Sequence, residues 1–270
     1  MDDYGRASNS RRRYPRRASG RLTRSERDRE GDGSDVSKRL HGYKTYEFGL
    51  IFGMRLKLRE PVSALTHLLG AVLSVIGMIA LIAAAVDRGS TRDVVAVSIF
   101  GASLVMMYCV SALYHASTLS PRGLGHFQRV DHVMIYVLIA GTYTPICLVV
   151  LRGRLGVWLL VSVWALAALG VFQKIFWMHA PRWLSTALYL GMGWIAVLIA
   201  RPLIAAASPG FFFWLLAGGI AYSLGAVVYG MKWPRGAAKV FGYHEVWHLF
   251  VMAGSFAHYW AILAYVAKAG

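Results

Sequence analysis

The sequence predicts an all-α integral membrane protein, a bundle of seven transmembrane helices. Three observations carry that expectation: 57% of the 270 residues are hydrophobic, the mean hydropathy is +0.48, and nearly all of the apolar content lies after residue 60. Crossing about 30 Å of hydrocarbon takes roughly 20 apolar residues. Runs of that length fall at about 61–86, 94–119, 131–151, 155–177, 183–206, 210–230 and 245–267. The breaks carry turn or charge signals: DRGSTRD at 87–93, SPRGLGHFQR at 120–129, RGR at 152–154, HAPR at 179–182, SPG at 208–210 and KWPRGAAK at 232–239. Connections this short make successive helices antiparallel.

Residues 1–45 form a basic tail, and residues 46–270 form the membrane domain. The tail contains RRRYPRR at 11–17 and has almost no large aliphatic residues over its first 40 positions, so it is expected to be disordered. Its Arg pair is not followed by an apolar segment until Pro61, which argues against a cleaved export signal. The net charge of +16 is explained by a tail lying near anionic headgroups, and no nucleic-acid partner is expected. With the N-terminus in the cytoplasm, 23 of the 29 Lys and Arg residues fall on the cytoplasmic side. That bias predicts an N-in, C-out protein of the plasma membrane, the reverse of G-protein-coupled receptors.

Cys109 and Cys147 both fall inside spans, so no disulfide framework and no thiolate metal site is expected. Any metal must be held by His and carboxylate side chains. Glycines recur in the spans, as they do where membrane helices pack closely.

His244 and His248, at the mouth of the last span, are four residues apart and share a helix face, so both imidazoles can address one ion. Ser111 and His115 repeat that spacing at the end of the second span. In the predicted topology these residues, with Asp131, Glu60 and His67, reach one depth on the cytoplasmic side. His115, His244 and His248 with an open fourth position make the donor set of a catalytic zinc, Zn2+, which lowers the pKa of a bound water towards about 7 and yields a nucleophile at neutral pH. Asp131 is expected to orient or deprotonate that water, and Ser111 to bond the water or a substrate carbonyl.

Other readings of these residues stay open. Asp131 can also cap the third span. Glu60 and His67 either line the site, or cap the first span and bond a neighbouring helix. His41, His126, His132 and His179 read as hydrogen-bonding residues at the membrane boundary. His258 lies about 15 Å deeper than His248 and reads as an interhelical hydrogen-bonding residue. His244-Glu245-Val246-Trp247-His248 also satisfies the zincin pattern, in which Glu245 would activate water for peptide hydrolysis.

PVSALTHLLG at 61–70, SALYHAS at 111–117, DHVMIYVLIAGTYTP at 131–145 and HEVWHLFVMAGSFAHY at 244–259 together resemble the haemolysin III family, the bacterial branch of the progestin and adipoQ receptor family that includes the adiponectin receptors. The resemblance covers about residues 55–267. It implies a zinc ion surrounded by Ser111, His115, Asp131, His244 and His248, and its three histidines coincide with the triad reached from spacing and depth. It also implies kinship with seven-span zinc hydrolases such as alkaline ceramidases, and hence hydrolysis of a lipid amide or ester drawn from the bilayer. The alternatives are a membrane-active, cytolytic or sensing protein whose zinc is structural, and a transporter. The last needs a polar path through the outer half of the membrane, where only His258 and Arg201 are available.

Overall fold

The computed structural model describes residues 46–49, 55–88, 90–178, 180–234 and 241–267. The predicted tail, His41 and His179 lie outside the described residues. The described part opens with a two-stranded antiparallel hairpin that apolar periodicity did not announce. β1 (Tyr46–Gly49) pairs with β2 (Arg55–Leu58) in the register Tyr46 to Leu58 and Gly49 to Arg55.

Helices follow: α1 (Pro61–Val86), α2 (Thr91–Ala116), α3 (Pro121–Pro145), α4 (Arg154–Phe176), α5 (Arg182–Leu198), α6 (Ala200–Ala206), α7 (Pro209–Met231) and α8 (Tyr243–Ile262). A π-helical turn, Ile146–Val150, extends α3, and another, Leu263–Ala267, extends α8. Six helices are long and apolar enough to cross a membrane on their own, counting α3 and α8 with their π turns. The pair formed by α5 and α6, bent by 56°, makes a seventh when counted as one span.

The helix starts are written in local chemistry. The hydroxyls of Ser90, Ser120 and Ser208 accept from the backbone N–H three residues on, and Pro61, Pro121 and Pro209 each open a helix at a position whose N–H has no intrahelical partner. The start of α3 corrects an expectation: the segment 120–129, read as a loop before a span beginning at 131, is helical. The Ser-Pro pair that looked like a turn is a cap followed by a first-turn proline. Asp131 therefore lies about three turns inside α3, and its role as a cap is overturned. The second span likewise ends at Ala116, three residues before the expected limit, where Ser117 turns extended.

The fifth span breaks at Ile199, where Pro202 has no N–H for the Leu198 carbonyl and its ring crowds that carbonyl; just before the break, the buried side chain of Tyr143 of α3 reaches the same helix. The Tyr143 hydroxyl donates to the carbonyls of Met192 and Gly193, with oxygens 3.0 Å and 2.9 Å apart, and accepts from Ala196 N at 2.8 Å. A side chain inserted into the helical ladder is a recognised cause of bending. The break at Ile199 follows within one turn.

Glycine makes the close packing possible at a few contacts. A Cβ on Gly170 would stand 2.3 Å from the Tyr136 ring, and one on Gly70 would stand 2.6 Å from Tyr108. The outward faces carry Leu69, Ile79, Trp158, Leu169, Phe172 and Phe213, all more than half exposed and suited to lipid rather than water. On the side opposite the histidine-rich end, Arg88 donates to the carbonyl of Val266 and lies 3.7 Å from buried Asp93, joining the end of α1 to the end of α8.

A candidate metal centre of three histidines

The amino-terminal turns of α1 and α8 meet the last turn of α2. Backbone contact sets the level: Glu60 N donates to the His115 carbonyl at 3.1 Å. His115 and His248 are 2% exposed, and His244 is partly buried beside them. One nitrogen from each of the three lies within 4.8 Å of the others, and among the described residues they form the group that could hold a metal ion.

Ring geometry tests that fit. With zinc–nitrogen bonds of about 2.1 Å and tetrahedral angles, ligand nitrogens stand about 3.4 Å apart and ring centres about 5 Å apart. The observed ring centres are 5.0 Å apart for His115 and His244, 4.8 Å for His115 and His248, and 4.7 Å for His244 and His248. Nε2 of His244 and Nε2 of His248 are 3.2 Å apart. The imidazoles are thus spaced so that they could hold one ion, with the wider nitrogen pairs, which lie within 4.8 Å, closing toward that separation.

Glu60 stands at the N-cap of α1 but makes no side-chain capping bond; its carboxylate is instead hydrogen-bonded to His115 Nδ1, which leaves Nε2 as the remaining nitrogen for an ion. Burial works against the Glu60 carboxylate, but the hydrogen bond from His115, with the charges of His115 and Arg59 behind it, holds its carboxyl below the usual range. Arg59 adds a second tie to α2, with Nη2 donating to the Tyr114 carbonyl at 3.0 Å and the guanidinium 4.4 Å from the Tyr114 ring centre.

His67 is 3% exposed and lies flat on His248, with ring centres 3.7 Å apart and planes 17° from parallel. Its other side meets the Tyr108 ring edge-on at 5.1 Å. That stack is too close and too parallel for His67 and His248 to be ligands of the same ion. Neither His67 nitrogen has a hydrogen-bond partner among the described residues.

Glu245, the carboxylate of the zincin-like pattern, is used otherwise. Ser63 Oγ donates to its Oε1 at 2.9 Å, and Gly242 N donates to its Oε2 at 2.8 Å. The second contact is half of a capping box at the start of α8.

Ser111 is buried one turn before His115 on α2. Asp131 is half-buried, its Oδ2 3.6 Å from Nδ1 of His132, and it is not part of the three-ligand group. His132 Nδ1 donates to the Gln128 carbonyl at 2.7 Å, within its own helix. His126 is exposed. His258 behaves as expected, with Nε2 donating to the Leu215 carbonyl of α7 at 3.1 Å. Cys109 and Cys147 are free thiols. Spacing found the three imidazoles. The residues it left undecided were Glu60 and His67, although Glu60, Ser63 and His67 share one helical face.

Fold and site together define a multi-pass helical membrane protein with a three-imidazole cluster joining its second and last membrane helices. The family described as "Haemolysin-III related" matches residues 56–259, and the chain belongs to that family. It is 41% identical to "Hemolysin-3 homolog" of Bacillus subtilis (strain 168), over 77% of this chain and 95% of the relative. It is also 41% identical to "Hemolysin-3" of Bacillus cereus, over 77% of this chain and 91% of the relative. "Monocyte to macrophage differentiation factor" of Homo sapiens is 26% identical, over 63% of this chain and 70% of the relative.

Proposed function

We propose that the protein is an intramembrane zinc hydrolase that cleaves a lipid amide or ester, acting in the plasma membrane with its N-terminus and metal site on the cytoplasmic side. The observation that carries this reading is the buried three-imidazole cluster with no fourth ligand from the described residues. Three nitrogen donors and an open position characterise catalytic rather than structural zinc, and zinc is the best match to this donor set. When bound, the ion would supply Lewis acidity, acidifying a water and polarising a carbonyl.

The chain's own residues do the rest. His115, His244 and His248 would hold the ion. Asp131 takes the proton from the attacking water and returns it to the leaving group, while Ser111 donates a hydrogen bond to the substrate carbonyl oxygen. Glu245 is not assigned the proton transfer, because both of its oxygens are engaged in tying the start of α8 to Ser63 and Gly242. The exposed apolar faces put a lipid substrate within lateral reach of the bundle.

A second reading rests on the printed names of the two bacillus relatives. In it the protein is membrane-active, cytolytic or sensing, and zinc only ties the helices together. Both readings are separated by measuring metal content of chelator-free protein in detergent alongside hydrolysis of fluorescent acyl amides and esters in lipid nanodiscs. The hydrolase reading expects about one zinc per chain, lost in His115→Ala and His244→Ala but kept in Asp131→Ala, with turnover lost in all three. Zinc without turnover, and vesicle lysis that survives Asp131→Ala, would favour the second reading. Metal-free wild type would overturn both uses of the site.

A further inference from the structure

We propose that the first two turns of α1 are a clamp that sets the ring orientations of two metal ligands, with Glu60 and His67 as positioning residues for His115 and His248. The inference rests on the metal-site reading above. Glu60, Ser63 and His67 are spaced i, i+3 and i+7, which places them within about 60° of one another around the helix. Each touches a helix that bears ligands: Glu60 bonds His115 of α2, Ser63 bonds Glu245 of α8, and His67 stacks on His248 of α8.

An imidazole turns about its Cβ–Cγ bond and offers two nitrogens, so an unheld ring reaches an ion in several ways. A metal-binding histidine is ordinarily held through its second nitrogen. His115 follows that rule through Glu60. His248 makes no full hydrogen bond through its buried Nδ1 among the described residues, although the Ser63 backbone lies beside its ring. What covers the face of that ring is His67, itself wedged against Tyr108. With neither His67 nitrogen partnered, its contribution is a flat face of the right thickness rather than a hydrogen bond.

The test is Co2+ binding to the full chain in detergent, read as affinity against a chelating dye and as the visible absorption bands, which report ligand geometry. Metal-free thermal melting is measured beside it. Glu60→Gln, which removes no volume, is expected to weaken Co2+ at least tenfold and to shift the bands, with metal-free melting little changed. His67→Ala is expected to weaken binding by a similar factor, and His67→Phe, which keeps the face, to restore it to within about threefold. His258→Leu, in the same bundle but away from the cluster, is expected to leave affinity and bands as in wild type. The clamp is overturned if Glu60→Gln binds as wild type does, if His67→Phe is as weak as His67→Ala, or if His258→Leu weakens binding equally. Wild type that binds neither Co2+ nor Zn2+ removes the metal reading itself, a result distinct from failure of the clamp.

Discussion

Ser63 and Glu245 form a hydrogen bond of 2.9 Å between the first and last membrane helices, in a setting where Ser63 is fully buried. Together with the capping bond from Gly242, it ties the start of α8 to α1 through Glu245. Glu245→Ala is expected to destabilise the protein by about 1–3 kcal/mol, by orphaning the Ser63 hydroxyl and losing the cap. Glu245→Gln, which keeps an acceptor, should retain both metal and most of any hydrolytic turnover. A folded Glu245→Gln protein with full zinc and no turnover would restore the zincin reading.

Gly170 packs against Tyr136, while a Cβ on Gly191 would meet nothing within 4 Å. Gly170→Ala is therefore expected to cost about 1–3 kcal/mol through overpacking, and Gly191→Ala to lie within about 0.5 kcal/mol of wild type. Unfolding in mixed detergent micelles reads both. Equal effects would mean that α3 and α4 are not as close as described.

Tyr143→Phe removes the hydroxyl shared by Met192, Gly193 and Ala196 while keeping the ring. A loss of about 1–3 kcal/mol is expected, together with faster proteolysis or hydrogen exchange around residue 196. Unchanged exchange there would show that the bend at Ile199 does not rest on this hydroxyl.

His258→Leu deletes the bond to the Leu215 carbonyl. Interhelical hydrogen bonds of this kind average about 0.6 kcal/mol in membranes, so the expected loss is of that order, with zinc content unchanged. A fall in bound metal would place His258 in the site after all.

Much of this was written in plain spacing. Runs of about 20 apolar residues located the membrane helices, and two i, i+4 pairs located the three imidazoles, because helical period and bilayer thickness are fixed quantities. The start of α3 was harder, since Ser120-Pro121 is both a turn signal and a helix-opening signal, and only the hydroxyl bond to Gly123 decides between them. The bend at Ile199 has a local mark in Pro202, three residues on, which cannot donate to the Leu198 carbonyl; Tyr143, 56 positions before Ile199, reaches the helix just ahead of the break. The hairpin at 46–58 is too short for periodicity to reveal. Glu60 and His67 carried a signal in their shared face, but a partner on another helix had to be seen to choose between capping and bracing.

The three imidazoles join early and late parts of the chain, since about 130 residues separate His115 from His244. At the pace of synthesis, about 5–20 residues per second, His115 waits roughly 6–25 s for its companions to emerge. Glu60 is already present and can engage its Nδ1 as soon as α1 and α2 pair. The histidine cluster thus comes together in two stages, with one imidazole present early and the other two delivered together when α8 arrives. Because α8 is also the helix that bonds back to Ser63 of α1, completion of the cluster and closure of the bundle become a single late event in the birth of the protein.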